Sequence, residues 1–288
     1  MLNRQRVLVH LLKQAGRPVS KIDLMKWCFL LRNEMPSQGG SAFYHFLPYQ
    51  YGPFSFCLYR EIDQLVCDGV IEASGDHSWQ VCGNADGAEG LSNAVRQDAG
   101  RILRRFNEQS TSQLMDYVYK QYPWFTVNSK RQRHAARPVA SLAVYTAGYE
   151  GQQVDAFLDM LMRTGIQQLL DVRNNPVSRR YGFHKTTLDR LCKSLDIKYL
   201  HRPELGIPPV LRQTLNTQAD YEALFTKYET SVLTDEAVAV EEVSQLVHAT
   251  PTVLVCMEAN PLMCHRTRLA KAISDKTCLP VRHLEASE

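Results

Sequence analysis

Cys264-His265-Arg266 places a thiol, an imidazole and a guanidinium in consecutive positions, shortly after an apolar run, Thr252–Met257, and the carboxylate of Glu258. If this triplet stands in or just before the first turn of a helix, the free N–H groups and partial positive charge there favour an anion and lower a nearby thiol pKa. His265 and Arg266 push the same way, so Cys264 is a candidate nucleophile, with Glu258 and His265 as further catalytic candidates and Arg266 as an anion ligand. Other uses fit the same residues: a half-buried structural cysteine, a helix-capping contact, or a metal shared among Cys256, Glu258, Cys264 and His265. The spacing of the two cysteines is not that of a zinc knuckle, and the expectation is of no metal and no cofactor. A tyrosine-phosphatase-like loop is disfavoured, because Arg266 follows Cys264 too closely.

A second group closes the run Leu169-Leu170-Asp171-Val172-Arg173. Alternate residues of a strand share a face, so Asp171 and Arg173 point the same way. Asp171 could accept a sugar hydroxyl or act as a general base, and Arg173 could hold a phosphate bidentately. An internal ion pair would use the same two residues. Arg179 and Arg180 follow, as a phosphate clamp or a solvated pair. Tyr149, Glu150, Tyr181, His201 and Glu204 are candidate substrate contacts after neighbouring strands. Arginines among carboxylates suit a phosphorylated sugar or a nucleotide.

These residues need a scaffold that gathers strand ends. The second half alternates: strands are expected at Leu142–Thr146, Gln168–Val172, Ile197–Leu200 and Thr252–Met257, and helices at Gln153–Thr164, Thr186–Leu195 and Thr267–Ser274. Tyr221–His248 carries helical pattern broken near Leu233–Asp235. This is an α/β domain with a mostly parallel sheet and helices on both faces, whose ligands sit beyond the carboxyl ends of the strands. The strands bearing Val144, Leu170 and Val255 should be central.

The first half reads as a mainly helical, winged-helix-like module. Gln5–Gln14, Ile22–Asn33 and Ser55–Gly69 are expected helices, with Ser20 and Asp23 near an N-cap pattern. Phe43–Leu47 looks like a short strand, Gly69–Ile71 and Ser78–Cys82 a hairpin wing, and Asn84–Gly90 a break before two more helices. The expected domains are 1–129, a basic linker 130–140, and 141–288. Clustered Lys and Arg in the linker would fit a solvated connector or a nucleic-acid contact.

The chain has 288 residues, room for two domains of ordinary size, and a formal net charge of +3, which does not demand a nucleic-acid partner. No run of about 18 apolar residues suggests a membrane span. The eight cysteines lack the spacing of a secreted disulfide framework, so a cytoplasmic setting with reduced thiols is expected.

Thr146-Ala147-Gly148-Tyr149, Asp171-Val172-Arg173 with Pro176 and Ser178-Arg179, Tyr199…His201…Glu204-Leu205-Gly206, and Cys256-Met257-Glu258…Pro261…Cys264-His265-Arg266 resemble domain-of-unknown-function family 488 over about Leu142–Leu284. The resemblance implies a bacterial and archaeal α/β domain with no settled activity. Tyr149-Glu150 departs from a His-Ser pair common in that family. In the first half, Lys26–Leu31, Pro48–Phe54, Leu65…Gly69-Val70-Ile71 and Tyr119…Tyr122–Thr126 are similar to the Panacea antitoxin family, which implies a protein-binding or regulatory module.

Two functions follow as expectations. One is an enzyme acting on a nucleotide or nucleic acid, in bacterial phage defence if the Panacea-like resemblance is followed. The other is a non-catalytic DNA- or protein-binding regulator whose C-terminal domain senses an anionic ligand. A sulfurtransferase borrows from the rhodanese-like look of the Asp171-Val172-Arg173 strand but lacks that family's active loop.

Overall fold

The computed structural model describes residues 1–83, 85–211, 215 and 217–285; Asn84, where the Gly/Asp-rich break was expected to begin, lies outside them. The chain divides into two compact units, Met1–Ala136 and Arg137–Glu288.

In the first unit α1 (Asn3–Ala15), β1 (Val19–Ser20) and α2 (Lys21–Glu34) are followed by a hairpin of β2 (Leu47–Tyr49) and β3 (Gly52–Phe54). Then come α3 (Phe56–Cys67), β4 (Ile71–Ser74), β5 (Ser78–Val81), α4 (Asn93–Phe106) and α5 (Thr111–Gln121). The wing is the antiparallel sheet β1-β5-β4, so the winged-helix-like order holds. Ser20 and Ser55 cap α2 and α3 by accepting from the N–H groups of Asp23 and Leu58. The strand expected at Phe43–Leu47 is not formed. Phe43 and Tyr44 are buried by their rings, and Tyr44 donates its hydroxyl to Glu61, 2.7 Å away. Pairing starts at Leu47, where Pro48 faces Pro53 across the two-stranded ladder. Proline is tolerated where its missing N–H faces no partner strand.

Lys26 on α2 is 2% exposed and donates to the carbonyl of Pro53, 2.9 Å away. Burial lowers its pKa to about 7, against the attraction of Asp23. The unfolded chain keeps the ordinary lysine value, so between pH 7 and about 10 it binds more protons than the folded one. Stability should therefore rise with pH across that window by up to about 1.4 kcal/mol per unit. Urea denaturation of the full chain at several pH values checks this: Lys26→Met should remove the slope, and equal slopes in both proteins would contradict it.

Residues of the basic run bond to this unit up to His134. The N–H of Lys130 donates to Gln50, Arg131 pairs with Asp116 at 2.8 Å, and the N–H of His134 donates to the Thr126 hydroxyl. Arg137 belongs to the second unit, donating to the carbonyls of Leu195 and Ile166.

The second unit alternates strand and helix. Its elements are β6 (Val144–Gly148), α6 (Val154–Thr164), β7 (Gln168–Asp171), α7 (Lys185–Ser194), β8 (Lys198–His201) and α8 (Gln218–Lys227). A π-helical turn, Tyr228–Val232, runs into α9 (Leu233–Asp235) and α10 (Ala237–Ala249), placing the break where the sequence pattern lapsed. The chain closes with β9 (Thr252–Cys256), α11 (His265–Thr277) and β10 (Val281–Leu284). The five strands are all parallel, in the order β10-β6-β9-β7-β8. Val144, Leu170 and Leu254 pack with Val240, Val243, Leu269 and Ile273 of α10 and α11 on one face. Tyr145, Leu169 and Val253 alternate with them and are equally buried, as a sheet covered on both faces requires. β10 was not anticipated. It is a short edge strand reading Val281-Arg282-His283-Leu284, with two exposed polar residues in place of an apolar run. Because every strand runs the same way, the ends of β6, β7, β8 and β9 emerge on one side.

Candidate functional site

Cys256 is the last residue of β9, buried between β6 and β7. The chain then turns through Glu258 and re-enters α11 with Cys264 as its N-cap residue. Cys264 makes no side-chain cap. Its sulfur lies 3.1 Å from Glu258 Oε2, and Cys256 Sγ lies 3.1 Å from the same oxygen. His265, 1% exposed, completes the group: its Nδ1 is 3.8 Å from Cys256 Sγ and 3.9 Å from Cys264 Sγ. Its Nε2 contacts the Val172 carbonyl at 3.1 Å. A carbonyl only accepts, so Nε2 carries the proton and the Nδ1 lone pair is turned toward the sulfurs. The Tyr228 ring meets His265 edge-on at 5.3 Å, from the π-helical turn, a distortion common at functional sites.

Three contacts hold the turn after β9. The N–H groups of Tyr149 and Glu150 donate to the Met257 carbonyl, and the Ala259 N–H donates to Glu150 Oε2 at 3.0 Å. A Cβ at Gly148 would fall 1.8 Å from the Glu258 carbonyl oxygen, so this close approach admits only glycine. Arg266, 1% exposed, donates to the carbonyls of Glu258 and Ala259.

The two thiols are driven in opposite directions. A hydrogen bond from the Cys264 thiol brings Cys256 well below the ordinary thiol value, against its burial and with help from His265. Cys264 is held well above it by burial and by the negative charge of Cys256 and Glu258, with Arg266 opposing. This runs against the low-pKa thiol expected at Cys264: burial and the neighbouring Cys256 and Glu258 outweigh the helix terminus and Arg266. Burial, then Cys256, keeps Glu258 above the usual carboxylate range. His265 is raised, because Cys256, the Val172 carbonyl and Glu258 outweigh its desolvation.

Cys256 reaches a cleft of about 140 Å³ shared with Tyr149, Arg173, Asn174, Asn175 and Ile207. Asp171 and Arg173 stand at its back as a buried ion pair. Arg173 Nε donates to Asp171 Oδ1 at 2.8 Å, and a second guanidinium nitrogen to Oδ2 at 2.5 Å. The Tyr199 hydroxyl also donates to Oδ2, at 2.7 Å. The remaining terminal nitrogen of Arg173 donates to the Tyr149 hydroxyl at 2.8 Å and the Phe183 carbonyl at 2.9 Å. Burial works against the Arg173 charge, and Asp171 and Tyr149 more than restore it.

Arg173 spends its whole guanidinium, and Arg266 its two terminal nitrogens, on protein acceptors, where the sequence suggested a bound anion; Arg266 Nε is buried with no partner among the described residues. Arg179 and Arg180 are exposed on the loop after β7, with Arg180 donating to the Gln152 carbonyl at 2.7 Å. Tyr149 stacks on Phe183 at 4.1 Å and lines the cleft, while Tyr181 is half-buried on the arginine loop. His201 is fixed between the Arg173 carbonyl, to which it donates, and the Lys185 ammonium. Glu204 pairs with Arg202. Asn174 and Asn175 were missed as site residues, and Cys256 entered the sequence reading only as a possible ligand of a shared metal. Cys256 sits in an apolar run that reads as core, and its place at the strand's last position is the local signal that it reaches the cleft.

Residues 153–273 match the family model described as Domain of unknown function DUF488, the family that the motifs resemble. The matched span contains the Asp171, His201 and Cys256–Arg266 motifs, and begins after Thr146–Tyr149. Neither a curated protein nor a solved structure matches the chain. The Panacea-like resemblance of the first unit rests on its residues alone.

Proposed function

We propose that the second unit is an enzyme acting on a nucleotide or nucleic acid, with Cys256, Glu258, Cys264 and His265 as its reactive centre. The observation that carries this reading is the cleft, which brings a buried reactive group to an opening at the carboxyl ends of parallel strands, where α/β sheets take their ligands. At about 140 Å³ it is smaller than the 300–1,000 Å³ of ordinary small-molecule sites, so it admits the reacting group and leaves the rest of the substrate outside. The exposed Arg179 and Arg180 supply positive charge for phosphates on the following loop. A cytoplasmic setting goes with this reading, since the thiols must stay reduced. Among the described residues no helix is long and apolar enough to cross a membrane. A protein partner for the winged-helix-like unit, and a role in defence against foreign DNA, follow from the Panacea-like residues. Incubating the full chain with nucleotides and short nucleic acids, followed by mass spectrometry, tests the proposal. Product should form with the wild type and not with Cys256→Ser, and the absence of any wild-type product across the panel would end it.

One observation favours the regulator reading. Asp171 and Arg173 are buried and satisfied by each other, by Tyr199 and Tyr149 and by backbone, and both terminal nitrogens of buried Arg266 are spent on backbone carbonyls. In that reading the unit holds an anion through its exposed arginines without chemistry, and a nucleotide would bind and be recovered unchanged.

A further inference from the structure

We propose that Cys256, Glu258, Cys264 and His265 bind a thiophilic divalent cation of the zinc class. The donor atoms of Cys256, Cys264 and His265 already stand close enough to share one ion, and Glu258 Oε2 lies beside both sulfurs. With metal–sulfur distances of about 2.3 Å and metal–nitrogen or metal–oxygen distances of about 2.0 Å, tetrahedral ligands lie about 3.5 Å apart. The sulfur-to-Nδ1 distances are 3.8 and 3.9 Å, and the sulfur-to-Oε2 distances are both 3.1 Å. The atoms of the two cysteines and the histidine all lie within 4.8 Å of one another.

The surroundings fit an ion as well as the distances do. His265 gives its Nε2 proton to the Val172 carbonyl, the outer hydrogen bond that fixes the tautomer and ring plane of a metal-ligating histidine. Cys256 and Cys264 come from the end of a central strand and the start of the next helix, so packing rather than a flexible loop sets two corners. The carbonyls of Glu258 and Ala259 are held by Arg266, and the Glu258 carbonyl lies against Gly148, which orients the turn carrying the carboxylate. The ligand set is two soft sulfurs, an imidazole nitrogen and a carboxylate oxygen, which suits zinc better than magnesium or calcium.

The four corners are not equivalent. Cys256, Cys264 and His265 are buried, whereas Glu258 is only partly so. Three buried ligands with one exchangeable corner is the arrangement of a zinc site that works on a substrate, with water or a substrate oxygen taking the fourth position. Binding releases the thiol protons to solvent, and the thiolates become ligands. The assignment rests on the ligand geometry and not on the identity of the substrate, so it stands or falls separately from the nucleotide reading.

The test is metal analysis of the full chain, purified without an affinity tag and with its thiols reduced, followed by titration of the metal-free protein with cobalt(II). About one zinc ion per chain is expected, and an intense thiolate-to-cobalt band in the near ultraviolet. Cys256→Ser and Cys264→Ser should each weaken binding by more than about ten-fold. Should these variants fail to fold, Glu258→Gln keeps the three buried ligands and should bind more weakly with a shifted cobalt spectrum. Cys278→Ser, at an exposed thiol just past the end of α11, should bind as the wild type does. A reduced wild type that takes up no zinc and gives no thiolate band overturns the site, as does unchanged binding by a folded Cys256→Ser/Cys264→Ser protein. Zinc bound without any effect of nucleotides would keep the metal and remove the nucleotide proposal; nucleotide turnover by a protein that takes up no metal would do the reverse.

Discussion

Asp171→Ala should cost the full chain about 3–5 kcal/mol of folding stability, and Arg173→Met should cost a similar amount. Asp171 is fully buried and Arg173 is 5% exposed. Among the described residues, removing the carboxylate leaves a buried guanidinium with only Tyr149 and Phe183 as acceptors, and the Tyr199 hydroxyl loses its acceptor. Removing the guanidinium leaves, among the described residues, a buried anion with only the Tyr199 hydroxyl and the backbone N–H of position 173 as donors. The Asp171→Leu/Arg173→Met double variant should be less damaged than the sum of the singles, because neither charge is then stranded. Urea denaturation of the unit's transition measures all of these. Single variants within about 0.5 kcal/mol of wild type would show that the pair is solvated and free to meet a ligand.

Arg266→Ala should also act on the fold before it acts on any ligand. Its guanidinium holds the carbonyls of Glu258 and Ala259, and its side chain is among the largest that are fully buried. Truncation leaves two carbonyls short of a donor and opens a cavity beside α11, for an expected loss of about 3 kcal/mol. Arg266→Lys, which keeps the charge but not the two-pronged geometry, should fall between. A thermal-shift comparison with and without nucleotides separates the roles. The expected result is a lowered melting temperature in the ligand-free protein. Unchanged ligand-free stability with lost nucleotide protection would mean that the guanidinium reaches the ligand instead.

The alternation of the second half was legible because apolar runs such as Thr252–Cys256 and amphipathic stretches such as Val154–Thr164 carry their period in the sequence. That period also placed Asp171 and Arg173 on one face. What it could not show is whether a charged group is free. Arg173 and Arg266 read as anion ligands until tertiary packing supplies Asp171, Tyr149 and two backbone carbonyls as their acceptors. The thiol at Cys264 was judged by its sequence neighbours and its helix terminus, yet Glu258 and Cys256 reach it through the turn after β9. The edge strand β10 and the proline-containing hairpin were hidden for a local reason: neither has an alternating apolar run, and pairing with a neighbouring strand defines both.

Hydrogen–deuterium exchange of the full chain, with and without nucleotides, tests the central claim most directly. If the strand ends are the substrate site, a bound nucleotide should slow exchange in residues 148–151, 172–181 and 256–264, the loops that follow β6, β7 and β9. Exchange that no nucleotide alters, or slowing confined to the first unit, would contradict it.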